Sequence, residues 1–158
     1  MDERTCELLK NCLMSAFDTN YPNFEVLFVD NASTDDSVEF VKKIGQNPRL
    51  RIIQNERNLG FTEGNNLGIR NAKGEYIALL NSDAKADPKW LKELVKAIHP
   101  PEIGAVQSKL LQMSSADVID CAGGLIDYYS YHLEKGRGEK SCKYTETGEI
   151  FYAKGAGF

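Results

Sequence analysis

FEVLFVDNASTDD, residues 24–36, carries the clearest fold signal in this 158-residue chain. Its apolar run, Val26–Val29, is too short for a buried helix, and its residue types favour a strand covered on both faces. Small polar and acidic residues follow, and then come apolar residues at helical spacing: Val38, Val41 and Ile44. The stretch therefore predicts a central parallel strand followed directly by a helix. Ligands of open α/β sheets bind at that end of a strand.

Composition restricts the class of protein. A length of 158 residues with 42% hydrophobic content predicts one compact domain. A net charge of −4, with interspersed signs, offers no basic surface, so we expect no nucleic-acid partner. No apolar run approaches the roughly 20 residues of a membrane span, and the N-terminus lacks a signal-peptide core, so we expect a cytoplasmic protein. The cysteines (6, 12, 121 and 142) show no Cys-x-x-Cys spacing, which predicts packed thiols.

Helix and strand patterns alternate along the rest of the chain. Apolar residues at helical spacing predict a helix before the central strand, and a second parallel strand completes a βαβ unit. Two more strands and a helix opened by Asp-Pro are predicted next, and short strands and loops after Met113. The predicted segments are Cys6–Phe17 (helix), Leu50–Gln54 (strand), Tyr76–Leu80 (strand), 87–98 (helix) and Gly104–Leu111 (strand).

Three glycines and four asparagines interrupt a helical pattern in NERNLGFTEGNNLGI, residues 55–69. Each interior glycine costs a helix about 1 kcal/mol relative to alanine. A loop approached closely by a ligand or a strand is one interpretation of this composition. A tight contact between a helix and a sheet would also select glycine, and the sequence leaves both interpretations open.

Two of the predicted strands end in a carboxylate among small polar residues. Asp30 precedes Asn31, and Asp83 follows Asn81 and Ser82. Each aspartate alone is typical of a turn or a helix cap. Because parallel strands align their carboxyl ends at one edge, we expect the two carboxylates to face one crevice. A divalent cation bound there would arrive with a phosphate, so the pair suggests a nucleoside diphosphate and a metal.

These motifs resemble the nucleotide-binding half of family 2 inverting glycosyltransferases, and most of all the rhamnosyltransferase-like members. VDNASTD (29–35), NLGF through NNLGI (58–69) and GEYI into LNSD (74–83) carry the resemblance, with weaker agreement at 104–106, 122–124 and 155–157. The resemblance implies a Rossmann-like GT-A three-layer α/β sandwich with a mostly parallel central sheet, truncated at both ends. Residues 1–111 would form the nucleotide-sugar-binding part of this single domain, and 112–158 the start of the acceptor-side part.

The resemblance also implies an activity: transfer of a sugar from a nucleotide-diphosphate donor to a saccharide or lipid-linked acceptor, with inversion, in the synthesis of cell-surface polysaccharide or glycan. Asp30 would bind the nucleotide base, and Asp83 would hold Mg²⁺ or Mn²⁺ against the diphosphate. Asn81 and Ser82 stand where many relatives have acids. The implied donor-binding residues are Asp30, Asn31, Ser33, Asn58, Gly60, Asn65, Asn81 and Asp83.

Two departures from the family concern catalysis. Only Met1–Thr5 precede the first helix, where the family has a strand, and the chain stops at Phe158, where the family continues to its catalytic base. We therefore expect both to be absent and assign no catalytic residue. The alternative function is a non-catalytic nucleotide-binding or scaffold module of the same fold. Membrane-surface association is expected only through missing parts, and a homodimer could cover an exposed sheet edge.

Two other classes fit less well. LFVD, residues 27–30, resembles the opening strand of phosphoacceptor receiver domains, with Lys109 as a candidate lysine, but there the acidic strand should come first. A dinucleotide-binding dehydrogenase would need Gly-x-Gly-x-x-Gly after its first strand.

Three tyrosines (128, 129 and 131) could face an acceptor sugar or pack against the surface or core of the protein. We expect Arg137, which lies between two glycines, on a loop near the diphosphate.

Overall fold

The computed structural model describes residues 3–154, which form two compact units: unit 1 extends to Leu91 and unit 2 begins at Lys92. No helix in this described part is long and apolar enough to cross a membrane. The elements are α1 (Glu3–Phe17), β1 (Val26–Asp30), α2 (Ser37–Ile44), β2 (Leu50–Gln54), α3 (Gly60–Asn71), α4 (Trp90–Ile98), β3 (Leu110–Gln112), β4 (Ser115–Cys121), β5 (Gly124–Ile126), β6 (His132–Glu134) and a short 3₁₀ helix (Ser141–Lys143).

Unit 1 is built on the parallel pair of β1 and β2, as the sequence predicts. The strands run in register from Val26 opposite Leu50 to Asp30 opposite Gln54. Helices α1 and α2 cover one face, and burial of each apolar side chain there contributes about 1.5–3 kcal/mol. The core of this face consists of Leu9, Leu13 and Val41, with Phe17, Val26, Phe28, Phe40, Ile44, Leu50 and Ile52 packed against it.

Helix α3 covers the opposite face of β1, so unit 1 has three layers. Gly64 and Gly68 are both buried on the side of α3 that meets the strand. A Cβ atom at Gly68 would lie 3.1 Å from Cγ2 of Val29, and one at Gly64 would lie 3.4 Å from Nδ2 of Asn31. Residues 60–71 are therefore a helix rather than a loop, and the glycines serve the tight contact between helix and sheet.

Two predicted strands do not form with their predicted bounds: one is absent from the described residues and the other is reduced to its last two residues. The segment 76–80 forms only a single bridge, at Leu80, and Tyr76 and Ile77 stay 42% and 40% exposed. A strand needs a neighbour for its ladder, and the described strands of unit 1, β1 and β2, pair with each other. Of the segment 104–111 only Leu110 and Leu111 enter a strand, β3, and the Gln107 side chain accepts a hydrogen bond from the Lys154 N–H at 2.6 Å.

Unit 2 contains α4 from Lys92 onward and short antiparallel pairs, β3 with β4 and β5 with β6. Cys121 and Ile119 are fully buried on β4. The Lys154 ammonium lies 2.9 Å from the Asp120 carboxylate and 2.8 Å from the Glu134 carboxylate. Burial lowers the pKa of Lys154, but the hydrogen bonds to Glu134 and Asp120 outweigh it and raise that pKa. The hydrogen bond from Lys154 in turn lowers the pKa of Glu134.

The first prediction concerns the contact between α3 and β1. Gly68→Val places a branched side chain against Val29, so the free energy of unfolding should fall by about 1–3 kcal/mol. Adding Val29→Ala should restore part of that loss, because the two sites are in contact. Ile69→Val, on the exposed side of the same helix, should change stability by less than about 0.5 kcal/mol. Urea unfolding measures all four proteins, and wild-type stability for Gly68→Val would contradict the contact.

The second prediction concerns the Lys154 ion pairs. Lys154→Met leaves two carboxylates facing each other, so the free energy of unfolding should fall by about 1 kcal/mol near neutral pH. The native pKa of Glu134 is depressed, so this contribution exists above the unfolded carboxyl pKa and disappears as pH falls. Thermal unfolding across the acidic range should show the two proteins converging. Lys143→Met, which removes a more exposed pair with Glu139, is the control and should have a smaller effect.

Candidate functional site

The end of β1 forms a tight turn. The Asp30 side chain is buried, and both of its oxygens accept the Ser33 N–H, at 3.2 and 3.3 Å. The Asp30 carbonyl accepts the Asn55 N–H at 3.0 Å. Ala32 has a φ of 63°, in the left-handed region that non-glycine residues rarely occupy. The turn is therefore held by hydrogen bonds that offset an unfavourable backbone conformation.

Asn31 joins this turn to the start of α3 through a network that we call the Asn31 cluster (Asn31, Asn55, Asn58, Leu59 and Gly60). Its Oδ1 accepts the Leu59 N–H at 2.9 Å and the Asn55 amide at 3.1 Å. Its Nδ2 donates to Asn58 Oδ1 at 2.9 Å and to the Gly60 carbonyl at 3.0 Å. An asparagine amide has two donor and two acceptor positions, so all four are used.

Asp83 belongs to a turn that is attached to α1. The Asn81 carbonyl accepts the Ala84 N–H at 3.0 Å and the Cys12 thiol at 3.2 Å. The Ala86 N–H donates to the Ser15 hydroxyl at 3.0 Å. We expected Asp83 to follow a strand beside β1, and that expectation is wrong: hydrogen bonds to α1 position its turn instead.

Asp30 and Asp83 nevertheless line the same cavity, of about 290 Å³. Of the other residues expected to bind the donor, Asn31 and Ser33 also line it. The sequence analysis did not predict that Thr5 or Ser37 would lie at the site. It named Ser82 as part of the LNSD motif but not as a donor-binding residue. The complete lining is Thr5, Leu8, Leu9, Phe28, Val29, Asp30, Asn31, Ser33, Ser37, Ser82 and Asp83.

The four remaining candidates lie elsewhere in unit 1. Asn58 and Gly60 belong to the Asn31 cluster, on the side of Asn31 that faces α3. The Asn65 amide donates to the Phe61 carbonyl within α3, at 2.9 Å. Asn81 contributes its backbone carbonyl to the turn described above. The segment 155–157, which the resemblance places before the family's base, lies outside the described residues.

Two groups near the residues that line the cavity have shifted pKa values. Burial raises the pKa of the Cys12 thiol to about 11, and the Asp83 charge adds to that effect. At the start of α2 the Ser37 hydroxyl and N–H both donate to the Asp35 carboxylate, and the side-chain bond is the main reason that the pKa of Asp35 is lowered. Cys12 is therefore a neutral thiol, and Asp35 satisfies the first helical N–H of α2.

The described residues contain no group of three or more His, Cys, Asp or Glu side chains arranged to hold a metal ion. The carboxylate of Asp83 is exposed at the cavity, whereas that of Asp30 is buried and hydrogen-bonded to the Ser33 N–H. A single exposed carboxylate fits Mg²⁺ or Mn²⁺ that is bound together with the phosphates of a ligand. It does not fit a cation held by the protein alone.

A separate cavity, of about 740 Å³, lies within unit 2. Arg137, which we expected near a diphosphate, lines this cavity and pairs with Glu134 at 2.5 Å. Tyr128 and Tyr129 lie at the tip of the β5–β6 hairpin and are 95% and 77% exposed, so they pack little against the protein. The lining is Leu125, His132, Leu133, Glu134, Lys135, Gly136, Arg137, Tyr144 and Tyr152.

Comparison with known proteins connects this geometry to a family. The profile of glycosyl transferase family 2 matches residues 3–118, well over half of the chain. The O-antigen biosynthesis protein RfbC of Myxococcus xanthus is 39% identical over 94 residues, which are 59% of this chain and 7% of that protein.

Solved structures agree with the sequence comparison. The mannosyltransferase PcManGT from Pyrobaculum calidifontis, in complex with GDP-Man and Mn²⁺, superposes with a TM-score of 0.62 at 26% identity, over 68% of this chain and 32% of that chain. S. aureus TarS 1-349, in complex with UDP-GlcNAc, superposes with a TM-score of 0.54 at 26% identity, over 61% of this chain and 29% of that one. These neighbours confirm the predicted GT-A type of α/β fold, and this chain spans less than a third of each of the three proteins.

The third prediction concerns the effect of the Asp83 charge on the pKa of the Cys12 thiol. At about pH 8 the buried, protonated thiol should react with iodoacetamide far more slowly than the exposed Cys142. Asp83→Asn removes one cause of the raised pKa and should speed the labelling of Cys12 at about pH 9.5. Mass spectrometry of tryptic peptides gives both rates, with Cys142 as the internal control. An unchanged Cys12 rate would contradict the placement of Asp83.

Proposed function

This chain belongs to glycosyltransferase family 2, and we propose that the cavity at the carboxyl end of β1 binds the nucleoside diphosphate of a sugar donor. The observation that carries the proposal is that Asp30 and Asp83 line one cavity at the end of a parallel strand. The whole protein would transfer the sugar, with inversion, to a saccharide or lipid-linked acceptor during polysaccharide synthesis. The name of the Myxococcus relative, an O-antigen biosynthesis protein, supports the role in polysaccharide synthesis.

The residues around the cavity suit different parts of such a donor. Buried Asp30 keeps free lone pairs beyond those that accept the Ser33 N–H, so it can accept N–H groups of a base. The hydroxyls of Ser33 and Ser82 are available for ribose and phosphate oxygens. Helix α2 begins at the cavity with Ser37, whose N–H and hydroxyl are already bonded to the Asp35 carboxylate, so we assign this helix end no phosphate contact.

Asp83 is the residue that would hold a divalent cation, and Mg²⁺ or Mn²⁺ bound there would stabilise the charge on the departing diphosphate. The Mn²⁺ and GDP-Man of the Pyrobaculum enzyme support this assignment. The role of residues 112–158 on the acceptor side, a cytoplasmic location and a homodimer remain predictions from the sequence. We assign no catalytic base.

The fourth prediction tests the division of roles between the two carboxylates. In calorimetric titrations with UDP, GDP and dTDP, with and without Mn²⁺, at least one nucleotide should bind. Asp83→Ala should remove only the part of the affinity that depends on Mn²⁺. Asp30→Asn keeps an acceptor for Ser33 but loses the charge, so affinity should fall about tenfold with or without the metal.

Asp18→Ala is the matched control, since Asp18 is exposed and does not line the cavity. Its affinities should equal those of the wild type. Absence of binding for all three nucleotides in the presence of Mn²⁺ would overturn the proposed function. Binding without sugar transfer would match the scaffold alternative, and transfer by this chain would exclude that alternative.

A further inference from the structure

We propose that Asn31 is a positioning residue, which fixes the turn carrying Asp30 and Ser33 against the start of α3 rather than binding the donor itself. This inference rests on the proposed function of the cavity. Asn31 lines that cavity, so a direct contact with the ligand would be the simple interpretation. Its hydrogen bonds favour the positioning role.

The amide of Asn31 is saturated by the protein. Two N–H groups, from Leu59 and Asn55, occupy its oxygen at 2.9 and 3.1 Å. Two oxygens, from Asn58 and Gly60, receive its NH₂ group at 2.9 and 3.0 Å. A ligand that bonded to this amide would have to displace one of these partners.

Backbone groups determine which end of the amide is the oxygen. The Leu59 N–H can only donate and the Gly60 carbonyl can only accept, so the oxygen must face Leu59 and the nitrogen must face Gly60. Asparagine meets both demands, whereas aspartate meets only the first. The position therefore requires an amide and not merely a polar side chain.

The backbone of α3 packs against one side of the Asn31 amide. A Cβ atom at Gly64 would lie 3.4–3.6 Å from the Nδ2, Cγ and Oδ1 atoms of Asn31, so the amide lies flat on the helix backbone. Asp30 precedes Asn31 and Ser33 follows it two positions later, and these two residues are bonded to each other and line the cavity. Loss of the Asn31 bonds would free this turn and misplace both groups, and small misplacements are costly for binding.

The fifth prediction compares two substitutions of asparagine by aspartate, one inside the cluster and one outside it. Asn31→Asp turns two hydrogen bonds into contacts between oxygens, so the dissociation constant for the nucleotide that binds wild type should rise about fivefold to thirtyfold. Asn47→Asp is the control, because the Asn47 side chain accepts the Arg49 N–H at 3.0 Å and does not line the cavity. An aspartate keeps that acceptor, so affinity should stay within about twofold of wild type.

The pH dependence separates positioning from simple charge repulsion. The carboxylate of Asn31→Asp would face the oxygens of Asn58 and Gly60 on one side and the N–H groups of Leu59 and Asn55 on the other, with the acids Asp30 and Asp83 on the same cavity. Protonation would restore one donor toward the two oxygens, so on going from about pH 8 to about pH 5 its affinity relative to wild type at the same pH should rise. The Asn47→Asp protein, whose carboxylate faces the Arg49 N–H, should show no such recovery.

Thermal unfolding of the wild type and the two variants distinguishes failure of the proposed function from failure of the positioning role of Asn31. If wild type binds no nucleotide, the proposed function fails, but a pH-dependent melting temperature in Asn31→Asp and not in Asn47→Asp would still support the cluster. If wild type binds and Asn31→Asp binds as tightly at every pH, the positioning role is overturned. A loss of affinity that is equal in both variants would also overturn it, because added charge would then explain the effect.

Discussion

The close contact between α3 and β1 is the constraint on which the rest of unit 1 depends. Gly64 and Gly68 are four residues apart on the helix, and the residues that they meet at the end of β1, Asn31 just after the strand and Val29 within it, are two residues apart. Four helical residues rise about 6 Å and two strand residues about 6.6 Å, so the two patterns match along one face. Without side chains at the glycines, the helix lies near enough for its first residues to bond with Asn31. Packing and the Asn31 cluster are therefore parts of one arrangement.

The cavity has a second wall that is held in a different way. Helix α1 packs its apolar side on the other face of the sheet, and its polar groups, from Cys12 and Ser15, bond to the turn that carries Asp83. The two carboxylates therefore differ in environment. Asp30 is buried and bonded to its own turn, which suits it to accept hydrogen bonds, whereas Asp83 is exposed, which suits it to a cation.

The regular part of the fold was predictable because its patterns are local. The apolar run at 26–29 and the helical spacing after it predicted β1 and α2, and the second strand was predicted with its observed bounds, Leu50–Gln54. The prediction of a strand at 76–80 is wrong. The apolar pattern there indicates only which side chains favour burial, whereas a strand also needs a neighbouring strand for its backbone hydrogen bonds. The glycines of α3 lower helix propensity, and packing against β1 decided their conformation.

The amino-acid sequence was enough to predict the parallel strand pair, the family motifs and the presence of Asp30 and Asp83 after apolar runs. The packed structure was needed to show how Asp83 reaches the cavity, that Ser37 and Thr5 line it, and that all four hydrogen-bonding positions of Asn31 are used. Hydrophobic periodicity reports which face of a helix or strand is buried, and this information comes from neighbouring residues alone. Hydrogen bonds between residues such as Asn31 and Leu59, or Cys12 and Asn81, depend on how distant segments pack, and no local pattern encodes that distance.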